Sequence, residues 1–125
     1  MSLAKVMIVE DEVIAAMATA AMLRKLGFDV CGNVTSGEEA LVVFDGECPD
    51  IVIMDVRLDG ELDGIETTRR LKARRDVPVI YVTAYSDDTT RARARETAPL
   101  AFINKPLDIT LLKGVLERFR PVSGG

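Results

Sequence analysis

Along nearly the whole chain, short apolar runs alternate with apolar stripes at helical spacing. Val6-Met7-Ile8-Val9 is continuous and apolar, as expected of a strand buried on both faces. Val13, Ala16, Met17, Ala20 and Leu23 then recur at three- and four-residue steps and predict an amphipathic helix, with Gly27 as its C-cap. Residues 28–34 read as a second strand. Ser36 with Glu39 three residues later forms a capping box that opens a helix through Ala40, Val43 and Phe44. Pro49 closes that connection, and Ile51-Val52-Ile53-Met54 is a third buried strand. After a polar loop over 56–63, Ile65, Thr68 and Leu71 mark a third helix. Residues 77–82 form a fourth strand, with Pro78 near its start where a missing N–H is tolerated. Ser86 is expected to cap a fourth helix, with Asp87 and Asp88 in its first turn. That helix, running through Ala94, is poor in large apolar residues and is expected to be loosely held. Residues 100–103 make a fifth strand. Asp108 caps a last helix whose stripe is Leu111, Leu112, Val115, Leu116 and Phe119, and the tail 120–125 is expected to fray.

Five strands alternating with five helices, joined by right-handed crossovers, predict an α/β domain: a parallel sheet covered by helices on both faces. The flavodoxin-like doubly wound order 2-1-3-4-5 is the expected arrangement. One domain spans 1–125, with a core of about 5–119.

Composition narrows the function classes. A net charge of −4 argues against general nucleic-acid binding, which needs a basic footprint. The local basic clusters, Arg69 to Arg75 and Arg91 to Arg95, read as solvated helix faces. No apolar stretch approaches the ~20 residues that span a bilayer, and the N-terminus lacks a secretory pattern. Cys31 and Cys48 have no metal-type spacing and suggest a reducing compartment, so a cytoplasmic location is expected. The chain has no histidine, which excludes His-based catalysis and His-ligated metal sites.

Ligands of such sheets bind beyond the carboxyl ends of the strands, where the strand order reverses. The first strand ends in Glu10 and Asp11, and the third ends in Asp55. Three converging carboxylates repel one another unless protons or a cation neutralise them. An oxygen-only, partly open set suits Mg²⁺, which keeps waters and binds phosphate oxygens. Thr83 ends the fourth strand, and Lys105 follows the fifth as a point charge suited to a phosphoryl oxygen. A lone Asp after a strand is usually a turn former. Matched groups at four strand ends on one edge point instead to phosphoryl transfer onto a carboxylate.

Glu10-Asp11, Asp55, Thr83 and Lys105-Pro106 resemble the signature of the receiver domains of two-component response regulators, from about Lys5 to Phe119. Met54-Asp55-Val56-Arg57-Leu58, Asp63-Gly64-Ile65 and the run from Pro78 to Tyr85 are similar too. The resemblance implies that Asp55 accepts a phosphoryl group from a histidine kinase, a phosphotransfer protein or a small donor such as acetyl phosphate. It implies that Asp11 and Asp55 ligate Mg²⁺, for which Mn²⁺ substitutes, that Glu10 holds a metal-bound water and that the Arg57 carbonyl completes the set. Thr83 would bond the phosphoryl group, and Lys105 would pair with it before a cis peptide to Pro106. Phe102 stands where the family keeps its switch aromatic, coupling the site to the surface of the fourth helix, fifth strand and fifth helix. That surface would carry an unidentified output partner, or a second copy in a homodimer. No contact with nucleic acid or membrane is implied.

Three departures qualify the resemblance. Phe102 lacks the hydroxyl of the usual Tyr, the loop 59–63 is one residue longer than in the simplest receivers, and Glu10 replaces a second Asp. Arg57 and Tyr85 are large residues expected to hinder the hydrolytic water and lengthen the phosphoryl lifetime. Such a domain is not an enzyme beyond its own phosphorylation and dephosphorylation. The alternatives are a receiver-shaped interaction module that phosphorylation does not regulate, and a Mg²⁺-dependent phosphatase. The latter is disfavoured because Val56 and Arg57, not a second Asp, follow Asp55.

Overall fold

The computed structural model describes residues 4–84 and 87–119. Its elements run β1 (Lys5–Val9), α1 (Val13–Lys25), β2 (Asp29–Val34), α2 (Gly37–Glu47), β3 (Ile51–Met54), α3 (Gly64–Arg74), β4 (Val79–Thr83), α4 (Asp88–Arg95), β5 (Ala101–Asn104) and α5 (Ile109–Phe119). All strand pairings are parallel, and the sheet order is β2-β1-β3-β4-β5, as expected.

The strands alternate between two cores because successive side chains point to opposite faces of a sheet. Val6, Ile8, Ile51, Ile53, Ile80 and Val82 pack under α1 and α5, against Leu23, Leu112 and Leu116. Met7, Val9, Val52, Met54, Val79 and Tyr81 pack under α2, α3 and α4, against Phe44, Leu71 and Ala94. With both faces covered, β1, β3 and β4 have no polar face to show, which is why they read as continuous apolar runs.

Several local expectations change. On α1 the buried residues are Ala16, Ala20 and Leu23, while Val13 and Met17 are each 61% exposed. That helix is apolar almost all round, so spacing alone does not fix which stripe faces the sheet. Leu111 of the predicted α5 stripe is likewise exposed. Gly27 follows α1 at φ +91, the left-handed conformation expected of its stop. Ser36 Oγ accepts from Glu39 N at 3.2 Å, but Glu39 returns its bond to Thr35 N rather than to Ser36. The cap of α4 is Asp87, whose Oδ1 accepts from Thr90 N at 2.7 Å, one residue past the expected Ser86. A carboxylate at that position also meets the positive end of the helix dipole. Ser86, Tyr85 and the tail from 120 onward lie outside the described residues.

The basic clusters are not simply solvated. Arg74 donates to Leu41 O at 3.0 Å and pairs with Asp45, and Arg75 donates to Pro49 O at 2.7 Å while lying over the Phe44 ring. On the other side, Lys72 Nζ reaches Ala98 O at 3.0 Å, and Arg69 reaches Glu96 at 3.4 Å. Basic side chains of α3 thus tie it to its neighbours on both flanks.

Candidate functional site

The sheet ladder extends one residue past the strands to place the predicted groups. Asp55 N donates to Val9 O at 2.9 Å, Glu10 N to Val34 O at 2.9 Å and Lys105 N to Thr83 O at 2.9 Å. The backbones of Glu10, Asp55 and Lys105 are therefore fixed by the most buried part of the molecule. Glu10, Asp55 and Thr83 are 7%, 5% and 1% exposed, so the polar groups sit in a low-dielectric edge.

Carboxylate oxygens of Glu10, Asp11 and Asp55 lie within 4.8 Å of one another. Lys105 Nζ donates to Glu10 Oε1 at 2.5 Å and to Asp55 Oδ2 at 2.9 Å, and stands 3.5 Å from Glu12 Oε1. Asp55 Oδ1 accepts from Arg57 N at 3.1 Å, and Glu10 Oε2 accepts from Glu12 N at 3.2 Å. The Lys105–Pro106 peptide bond is cis.

Burial pushes Glu10 up to about 7, and its contact with the Asp55 carboxylate pushes the same way, against the opposing pull of Lys105. Burial works against the Lys105 ammonium, yet its bonds to Glu10 and Asp55 hold it above the ordinary lysine range. The donor set, hard oxygen atoms only with one lysine among them, fits a small divalent cation and an anionic phosphoryl group.

Phe102 pairs in register with Tyr81, their ring centroids 5.9 Å apart, and the Arg91 guanidinium lies 4.8 Å from the Phe102 ring centre. Tyr81 in turn shares a 2.8 Å hydrogen bond with Thr97 just past α4. Arg57 is exposed beside Asp55. Asp63, part of the family-like Asp63-Gly64-Ile65 segment, has a role that its place in that segment does not assign. Its Oδ1 caps α3 through Glu66 N at 2.8 Å, and its Oδ2 accepts from Arg93 of α4 at 3.1 Å. The Asp-x-x-Glu spacing of Asp63 and Glu66 signals such a cap; no local pattern signals the bond to Arg93.

Fold and site together define a doubly wound α/β domain with an acidic, lysine-bridged edge at its switch point. The family model for the response regulator receiver domain matches residues 6–117. The chain belongs to that family, the receiver domains of two-component response regulators. Transcriptional regulatory protein PdtaR of Mycobacterium tuberculosis is 34% identical over 123 residues, covering 95% of this chain and 60% of that protein. Sensory transduction protein RegX3 of Mycobacterium tuberculosis is 38% identical over 117 residues, covering 90% of this chain and 51% of that protein. The chain thus spans only part of the length of these curated relatives. Among solved structures, the signal receiver domain of a modulated diguanylate cyclase from Desulfovibrio desulfuricans G20 matches with a TM-score of 0.88 at 38% identity, covering 94% of this chain and 93% of that one. Among the described residues, no helix is long and apolar enough to cross a membrane.

Proposed function

We propose that the domain is a phosphorylation switch in which Asp55 accepts a phosphoryl group from a histidine kinase, a phosphotransfer protein or a small acyl phosphate. The observation that carries this reading is the acidic cluster of Glu10, Asp11 and Asp55 joined to Lys105 at one edge of the sheet. Asp11 and Asp55 would hold Mg²⁺, with Glu10 acting through a water and the Arg57 carbonyl completing the set. The ion, when bound, offsets the negative charge gathered around the transferred group.

An Asp55 carboxylate oxygen attacks phosphorus, and the bond from phosphorus to the donor breaks. The electron pair of that bond leaves with the donor's imidazole nitrogen or acyl oxygen. Lys105, already shared between Glu10 and Asp55, pairs with a phosphoryl oxygen, and the Thr83 hydroxyl donates to another. The added charge favours a second arrangement of α4 and Phe102, so the surface of α4, β5 and α5 binds its partner, or a second copy, by a shift of populations. Arg57 and Tyr85 hinder the hydrolytic water and set the lifetime of the phosphoryl group.

Intact-mass spectrometry after incubation with Mg²⁺ and acetyl phosphate tests the reading. One phosphoryl mass is expected on the wild type and none on Asp55→Asn. A wild type that gains no mass, or a gain that survives the substitution, overturns it. The same spectra followed over time should show faster decay with alanine at both 57 and 85.

A further inference from the structure

Helix α4 is thinly attached: of its eight residues only Ala94 is buried, against five on α3. What holds it is mostly polar. Arg93 Nη2 donates to Asp63 Oδ2 at 3.1 Å, and the Arg91 guanidinium covers the Phe102 ring. Just beyond its C-terminus, Arg69 reaches Glu96, and Lys72 reaches the carbonyl of Ala98. The bond from Arg93 differs from the others in what stands at its far end.

Asp63 closes the loop that leaves Asp55. At the loop's base, Gly64 N donates to Val56 O at 2.7 Å. Along its flank, Leu62 N donates to Glu38 Oε1 at 3.1 Å, and Asp59 bridges Ser36. The loop is thus held at several points, and Asp63 is its last residue before α3. One carboxylate oxygen of Asp63 caps α3, and the other holds α4. A groove lined by Asp11, Arg57, Asp63, Thr90 and Arg93 runs from the acidic cluster to this pair, so the tether lies beside the site.

We propose that Asp63 is a positioning residue that references α4 to the loop leaving Asp55, through its ion pair with Arg93. The loop and the helix over Phe102 are then one mechanical unit, and a displacement of the loop is delivered to α4 through a charge pair rather than through apolar packing. This rests on the reading of α4 as the responding element and names the contact that couples it to the site.

Hydrogen exchange of the full, unphosphorylated chain tests the tether. Asp63→Asn keeps a good helix cap but removes the charge, and Arg93→Gln removes the partner. For a half-exposed ion pair, peptides covering 88–95 should exchange about 2- to 5-fold faster in either variant, with α3 unchanged. Arg93→Lys should restore most of the protection. Raising NaCl from about 0.05 to about 1 M should move the wild type towards the variants and move the variants less. Unchanged exchange in α4, acceleration spread over the whole chain, or faster exchange of α3 in Asp63→Asn without an effect of Arg93→Gln would each overturn the proposal. Loss of phosphoryl uptake by the wild type would instead overturn the role of Asp55 and leave this exchange pattern untouched.

Discussion

A single added methyl group at Gly64 should do more damage than its size suggests. A Cβ built there would lie 1.9 Å from Asp55 O, 2.8 Å from Asp55 C and 2.9 Å from Val56 Cα, below the 3.0 Å that real contacts respect. All three neighbours are backbone, so no side chain can rotate away. Asp55 is itself held by its bond to Val9 O, and Gly64 by its bond to Val56 O. The loop base must therefore open by about 1 Å, breaking or stretching the second of these bonds. Overpacking of this kind costs ~3 kcal/mol, far more than the ~1 kcal/mol that alanine gains over glycine in a helix. Urea unfolding followed by circular dichroism should show the midpoint of Gly64→Ala lowered by about 1–3 M, taking a slope of ~1–3 kcal/mol per molar. Gly114→Ala supplies the control. Apart from its chain neighbours and the backbone of its own helix, no described atom lies within 4 Å of its added Cβ in the middle of α5, so it should stabilise by ~0.5–1 kcal/mol. A Gly64→Ala midpoint within about 0.3 M of the wild type, or a Gly114→Ala protein that loses stability, would refute the reasoning.

Two further outcomes follow from the region around α4. Tyr81→Phe removes the 2.8 Å bond to Thr97, whose hydroxyl keeps its 2.6 Å bond to Ala94 O, so urea unfolding should show a loss of about 1 kcal/mol. No change at all would mean that the buried hydroxyl contributes nothing. Asp87→Ala removes the cap of α4, and amide exchange in the first turn should quicken. Backbone hydrogen bonding from Thr90 lowers the Asp87 carboxyl below its ordinary 3.8. The cap's contribution is therefore complete above that ordinary value and fades as pH falls through the lower native one. The difference between wild type and variant should shrink in the same acid range, and a difference that persists at lower pH would contradict the assignment.

The β-α alternation, the strand order and the acidic edge were legible because each depends on local sequence. Ile51-Val52-Ile53-Met54 is a buried strand in the chain and the same strand in the structure, since only a strand covered on both faces is apolar at every position. Asp55 and Lys105 follow strands, and register carries such residues to one edge without further information. What was not legible depends on partners distant in sequence. Val13 and Met17 are apolar and exposed because the face of α1 turned to the sheet is the one that carries Ala16, Ala20 and Leu23. Cys48 and Ala98 take positive φ with no glycine to announce it; the carbonyl of Ala98 is held by Lys72, 26 residues away. The arginines of α3 read as a solvated face because carbonyl partners leave no mark in a sequence. The bond of Asp63 to Arg93 was not legible because the local role of Asp63, a cap, hides its distant one.

The attachments of the site and of α4 differ in kind, and that difference bears on how a switch of this shape can work. Glu10, Asp55 and Lys105 hang from ladder bonds of buried strands, and moving them means disturbing residues such as Val9, Met54 and Val82 that are at most 5% exposed. Dense packing resists small displacements. Helix α4 has one buried alanine and a half-exposed ion pair from Arg93 to Asp63, with a more exposed pair from Arg69 to Glu96 just past its end, each of the class worth ~0–1 kcal/mol. On the proposed reading a new charge at Asp55 would act on both, and the weakly held α4 would yield at the lower cost. In the switch proposed above, the rigid edge would then fix where the chemistry happens, and the weakly bonded helix where its consequence appears. Large apolar side chains on the inner face of α4, in place of Ala94 alone, would tie the helix to the sheet and oppose the proposed response.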